Sequence, residues 1–272
     1  MLYDGSAAQI FSLWLTMSAA KTRANNPEAE WFGFRRVRAG EKTDLVREVF
    51  SSVAGSYDIM NDLMSMGMHR LWKDTLVRKM NPKAGQVLLD VAGGTGDIAL
   101  RCHRRTGGKA NIIVCDINPA MLAAGKAKAL DHGIISGLTW VTGNAESLPL
   151  PDSSVDTYSI AFGLRNVSRI DQALCEAVRV LKPGGRFFCM EFSPGVTPKL
   201  KPFYDAYCIN VLPLIGQFVA KDRNAYQYLA ESIMKFPPQE QLAARMEEAG
   251  LSRAKWTNLT GGIAVIHEAW KL

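Results

Sequence analysis

The chain has 272 residues, 47% hydrophobic and 21% charged, ordinary proportions for a globular protein whose core needs no disulfide or metal staple. Its formal charge of +6 is too modest for a dense nucleic-acid-binding stripe, though it suits an anionic surface such as phospholipid headgroups. No apolar run approaches the roughly 18 residues of a membrane span. The five cysteines, none in a Cys-x-x-Cys pair, read as reduced thiols, with no metal site expected.

Residues 1–40 read as a flexible extension ahead of a single domain over 41–272. The apolar stretch Ile10–Met17 is short and lacks the basic leader of a signal peptide. Lys21 and Arg23 leave a mitochondrial targeting segment open, and Met17 is an alternative initiator. The stretch Arg35-Arg-Val-Arg38, with Arg47, suits either solvation or contact with headgroups. Residues 41–80 read as helical, with turn signals near Gly55 and Gly67.

At Gln86 the texture changes to short apolar runs alternating with longer helical stretches, the pattern of a parallel α/β sheet. The predicted strands are Val87–Val91, Ile112–Asp116, Leu138–Val141, Val155–Phe162 and Arg186–Phe192. The predicted helices are Asp97–Arg105, Pro119–His132 and Ile170–Leu181, with Asn118 as a cap before Pro119 and Lys182-Pro-Gly-Gly185 as a stop. Residues 198–236 are aromatic-rich and read as a helical insertion. Leu251–Asn258 and Ile263–Trp270 close the sheet as a hairpin around Gly261-Gly262.

The chemistry concentrates after the first strand, in Leu89-Asp-Val-Ala-Gly-Gly-Thr-Gly-Asp97. Gly93, Gly94 and Gly96 let the backbone turn sharply into a helix and come close to a ligand. The spacing lacks the Gly-x-Gly-x-x-Gly pattern of a pyrophosphate cradle, and Asp90 ahead of the turn suits a cationic amino-acid end. Asp116, followed by Ile117, ends the second strand, where a carboxylate accepts both hydroxyls of a ribose. Gly143-Asn-Ala-Glu146 follows the third strand, placed to meet an adenine edge. In this order the three pieces point to S-adenosylmethionine.

Two segments carry a resemblance. Tyr57-Asp-Ile-Met-Asn-Asp-Leu-Met-Ser-Met-Gly-Met-His-Arg-Leu-Trp72 resembles the first signature of the UbiE-type ubiquinone/menaquinone C-methyltransferases, and Arg179–Ser193 is similar to their second. Phe162-Gly-Leu-Arg-Asn166 and Ala225–Ile233 also match, so that the resemblance runs from Lys42 to Leu272. It implies a Rossmann-like class I methyltransferase fold, a mostly parallel seven-stranded sheet with helices on both faces and an N-terminal helical lid. It also implies C-methylation of a polyprenylated benzoquinol or naphthoquinol in quinone biosynthesis. Family cofactor positions fall on Thr95, Asp116, Asn144 and Ala145. Ala161 stands where the family often has Ser, which removes a side-chain hydroxyl from that position.

Arg165 and Asn166 follow the fourth strand, at the edge where doubly wound sheets bind ligands. Arg165 is expected to stabilise a phenolate or organise a water, or else to pair with a nearby carboxylate; Asn166 would orient the ring or the water. Tyr57 and His69 are candidate lid residues over the cofactor, while Trp72 is expected to pack. The aromatic residues of 203–229 would form a groove for a polyprenyl tail. Expected partners are the quinol, a bilayer surface touched peripherally on the cytoplasmic or mitochondrial matrix side, and a second copy or a quinone-biosynthesis assembly. The alternatives are a methyltransferase of another small-molecule class and a non-catalytic member of such an assembly.

Overall fold

The computed structural model describes residues 30–38, 40–53, 62, 65, 67–198, 200–207 and 223–272. Seven strands form the central sheet: β3 (Val87–Val91), β4 (Asn111–Asp116), β5 (Leu138–Thr142), β6 (Val155–Ala161), β7 (Leu181–Phe192), β8 (Ser252–Leu259) and β9 (Ala264–Trp270). Their order is β5-β4-β3-β6-β7-β9-β8. The first five run parallel, and β9 lies antiparallel to both β7 and β8. The chain moves outward from β3 to β5 and then returns to β6 on the other side of β3. That reversal opens a crevice beyond the carboxyl ends of β3 and β6.

Parallel strands covered on both faces must be apolar on both. Successive residues alternate accordingly: Leu88 and Phe188 join one buried cluster, Leu89 and Phe187 the other. The connecting helices are α3 (Asp97–Thr106), α4 (Pro119–Asp131) and α5 (Ile170–Val180). Helix α4 begins as the sequence suggests, with Asn118 Oδ1 accepting from the Ala120 N–H at 3.0 Å. Ahead of them, α1 (Glu41–Val53) and α2 (Met68–Met80) bracket the segment that holds Tyr57, which lies outside the described residues. Helix α2 buries Trp72, Leu76, Val77 and Met80 on the sheet. Trp72 packs against Phe162 and Phe192 while its indole N–H donates to Thr260 Oγ1 at 2.9 Å.

Most element ends fall within a residue of the sequence reading, and two features differ more. Strand β7 begins at Leu181 rather than Arg186, because the Lys182–Gly185 turn is drawn into the sheet: the Gly184 N–H donates to Lys271 O and the Lys271 N–H to Gly185 O. More consequentially, β1 (Glu30–Phe32) and β2 (Arg35–Val37) form an antiparallel hairpin within the stretch read as a flexible extension. Its cause is a tertiary contact: Phe32 stacks on Tyr228 at 4.1 Å. Tyr228 belongs to α7 (Arg223–Lys235), which with α6 (Lys201–Ala206) is what the structure describes of the helical insertion. Helix α8 (Gln239–Glu248) then leads into β8.

Candidate active site

The turn after β3 departs sharply from ordinary backbone. Ala92, Gly94 and Gly96 all have positive φ, at 49°, 54° and 75°, and the Gly96 N–H donates back to Gly93 O at 2.8 Å. Gly96 then starts α3 from the left-handed region. A Cβ on Gly96 would lie 2.6 Å from Trp140 Cη2, and one on Gly93 would lie 2.7 Å from Val114 Cγ1. Those two glycines serve the tight fit of the turn on its neighbours, while Gly94 faces the crevice. Thr95 is buried behind it and does not line the crevice.

Asp116 sits at the tip of β4. Its Oδ2 accepts the Gly94 N–H and its Oδ1 the Asn118 N–H, each at 2.8 Å. These bonds aim the carboxylate into the crevice, and each oxygen keeps a lone pair for a further donor. Burial raises its pKa while the backbone donors oppose that shift. Ile117, Asn144 and Ala145 line the crevice beside it, and Phe162, Gly163 and Asn166 line the opposite side. Glu146 also lines the crevice, and its carboxylate accepts from the N–H groups of Ser168 and Arg169 and pairs with Arg169 Nε at 2.7 Å. Thr43, Val46, Ala92 and Met121 line the crevice as well. Thr43, Val46 and Met121 carry no motif of their own; only the fold brings them there.

Asp90 lies beneath the turn. Its Oδ1 accepts from Ser159 Oγ at 2.9 Å, while its buried Oδ2 has no hydrogen-bond partner among the described residues. Burial pushes the carboxyl up to about 7. Asp90 is buried behind the turn and does not line the crevice; the strand-tip carboxylate of Asp116 and the apolar side chains of Ile117 and Val167, all on the crevice, match a nucleoside. S-adenosylmethionine carries one.

Arg165 and Asn166 lie in a single 3-10 turn, Leu164–Asn166, beyond β6. The guanidinium of Arg165 donates to Glu191 Oε2 and to Phe162 O, each at 2.7 Å, and lies over the Phe192 ring. Glu191 is held further by the N–H groups of Arg165 and Phe192. Burial pushes the Glu191 carboxyl up, and Arg165 pulls it down. Of the two expectations for Arg165, the structure thus shows the carboxylate pair. Asn166 accepts the Tyr228 hydroxyl at Oδ1, 3.0 Å away. Tyr228, which sequence reasoning placed among tail-groove aromatics, is therefore a site residue.

His69 is buried, with Nε2 2.8 Å from Asp62 Oδ1, and it does not line the crevice. Burial and then Lys73 lower its pKa, while Asp62 opposes them. Lys73, one turn on, donates to Asp97 Oδ2 at 2.8 Å, and Arg101 pairs with both Asp97 and Asp74. Burial disfavours the Asp97 carboxylate, but these cations outweigh it and hold its pKa well below the usual range. Helix α2 is thereby latched to the first turn of α3, immediately after the glycine turn.

The profile of the ubiE/COQ5 methyltransferase family matches residues 37–271. The chain belongs to that family. It is 47% identical over 295 residues to a mitochondrial 2-methoxy-6-polyprenyl-1,4-benzoquinol methylase of Gallus gallus, covering 96% of this chain and 94% of the relative. It is 52% identical over 248 residues to the ubiquinone/menaquinone biosynthesis C-methyltransferase UbiE of Paracoccus denitrificans, covering 91% and 99%. Among solved structures, a methyltransferase of Thermotoga maritima superposes with a TM-score of 0.60 at 18% identity, covering 83% of this chain and 99% of that one. One of Aquifex aeolicus gives 0.53 at 18% identity, covering 74% and 89%. As a ubiE/COQ5 family member, the protein is an S-adenosylmethionine-dependent methyltransferase with the class I fold expected from its sequence.

Proposed function

We propose that the enzyme methylates a ring carbon of a polyprenylated benzoquinol or naphthoquinol. The observation that carries this reading is the Arg165–Asn166 turn at the carboxyl end of β6, where Asn166 lines the same crevice as Asp116 and Arg165 lines the cavity next to it, in a chain about half identical to enzymes named for that substrate class. S-adenosylmethionine supplies a methyl group already activated on a sulfonium. Asp116 would hold its ribose, Asp90, from behind the glycine turn, its amino-acid end, and Ile117 with Ala145 its base.

The protein must then hold an electron-rich ring in line and favour loss of the quinol hydroxyl proton, which pushes charge onto the ring carbon. Glu191 offsets the charge of Arg165, so Arg165 acts as a fixed, directed N–H donor rather than as a free cation. An arginine guanidinium keeps its proton across the working pH range, which makes Arg165 unsuited to be the base itself. Asn166 supplies the second polar contact to the ring oxygen or its water. A second cavity, walled by Arg165 and Tyr228 and reaching Trp31, shares Val167 and Ser168 with the crevice. This continuity supports room for a second ligand beside the cofactor.

The same reading extends to a peripheral site of action. No described helix is long and apolar enough to cross a membrane. The hairpin presents Trp31 and Phe34, 41% and 49% exposed, beside exposed Arg35, Arg36 and Lys235. Aromatic rings among cations suit the interface of an anionic bilayer, where a prenyl tail resides. The activity is tested with labelled S-adenosylmethionine and short-tailed demethylated benzoquinol and naphthoquinol, locating the label on the product. Label on a ring carbon is expected; label on oxygen, or none with either quinol, rejects the assignment.

A further inference from the structure

Resting on the quinol reading, the geometry points to Tyr228 as the residue that positions Asn166 for the methyl acceptor, buttressed by the N-terminal hairpin. A side-chain amide has an acceptor end and a donor end. Tyr228 donates its hydroxyl hydrogen to the acceptor end of Asn166 at 3.0 Å, and the Asn166 backbone N–H is spent on Gly163 O. The end left for the crevice that Asn166 lines is the NH2 donor. A donor is what an oxygen gaining negative charge needs, and an unfixed amide would present its own oxygen about as readily. Tyr228 is 5% exposed, and burial raises the pKa of its hydroxyl, so it stays a donor throughout the working pH range.

Tyr228 is in turn held from outside. Its ring stacks on Phe32 at 4.1 Å with an interplanar angle of 13°. One turn along α7, Glu231 Oε2 accepts the Phe34 N–H at 2.9 Å; positions 228 and 231 share a helix face. Gly33, between Phe32 and Phe34, has a φ of 59° that favours glycine, and a Cβ there would lie 2.1 Å from Glu231 Oε2 and displace that carboxylate. Hairpin, α7 and the Leu164–Asn166 turn therefore form one connected support. Its last link touches the crevice and its first lies in the stretch whose sequence reads as a flexible extension.

The test uses the full-length enzyme with Tyr228→Phe, which keeps the ring and its stack. The expected result is a kcat lowered about tenfold, the effect of one orienting hydrogen bond, with the quinol KM and the S-adenosylmethionine Kd within about twofold of wild type. In an Asn166→Ala background the same change is expected to cost nothing further, because Tyr228 acts through Asn166. Without cofactor or quinol, the Asn166 side-chain 15N order parameter is expected to fall in Tyr228→Phe. A Tyr228→Phe enzyme as fast as wild type, an undiminished loss in the Asn166→Ala background, or an unchanged order parameter overturns the inference alone. A wild-type enzyme that labels no quinol overturns the reading of the activity, and this inference with it.

Discussion

Arg165 and Glu191 meet at 2.7 Å with side chains 3% and 0% exposed. Such a pair is costly to assemble and far more costly to break, because the survivor is a buried, uncompensated charge. Its place between β7 and the turn beyond β6 makes it the joint that holds the crevice wall in register with the sheet.

Glu191→Ala is accordingly expected to destabilise the protein by about 3–5 kcal/mol. Urea unfolding at pH 7.5 reads this directly. A loss below about 1 kcal/mol would show that the guanidinium reaches water when its partner goes.

Arg165→Lys keeps the charge but replaces the Nη1 that donates to both Phe162 O and Glu191 by an ammonium on a shorter stem. The expected outcome is a kcat about 10²-fold lower with little change in S-adenosylmethionine affinity by calorimetry. Equal losses in turnover and cofactor binding would count against a place for Arg165 beside the acceptor.

Asp90→Asn separates stability from binding. The folded carboxyl titrates at about 7 against an ordinary 3.8, so between these values the native chain holds a proton that the unfolded chain has released. Wild-type stability therefore falls as pH rises from about 4 to 7 on this account, and levels off above. A neutral amide at this position carries no such cost. The variant's stability advantage in thermal melts should grow across that window and then stay constant, while its affinity for S-adenosylmethionine falls about tenfold. A gap that does not vary with pH would mean that Asp90 is not protonated in the native state.

Replacing Trp31 and Phe34 together by Ala is expected to reduce co-sedimentation with phosphatidylglycerol vesicles severalfold, with neutral phosphatidylcholine vesicles binding either protein poorly. Raising salt should weaken what binding remains, since the Arg and Lys attraction is screened over a Debye length of about 10 Å at 0.1 M. Equal binding by the double variant and the wild type would remove the hairpin from the membrane contact.

The sheet is legible in the sequence because its signals are local and redundant. Strands β3 and β4 are short Val/Ile/Leu-rich runs with an Asp at or next to the end, and Asn118-Pro119 and Gly96 mark helix starts through chemistry that acts within a few residues. Asp116, Ile117, Asn144 and Ala145 line the crevice as expected because strand ends in this topology face it. What escapes a sequence reading depends on long-range contact. Phe32 orders a hairpin by stacking on a ring 196 positions away, and Tyr228 reaches Asn166 across 62. The Glu191 carboxylate sits inside an ordinary apolar strand run, where nothing local announces that Arg165 will be its counterion. Gly125 likewise reads as a weak spot in α4, yet a Cβ there would lie 2.8 Å from the Thr95 carbonyl carbon, so it sets how closely that helix approaches the glycine turn.

Trp140 stands at the meeting of those glycines, its ring edge 2.6 Å from where a Cβ on either Gly96 or Gly125 would be. An indole pressed against the back of the loop that receives a nucleoside is a built-in optical gauge. The chain holds six tryptophans, so in a variant that keeps Trp140 alone its emission is expected to register tightening or loosening of that loop, and occupancy can then be followed apart from the chemistry that comes after it.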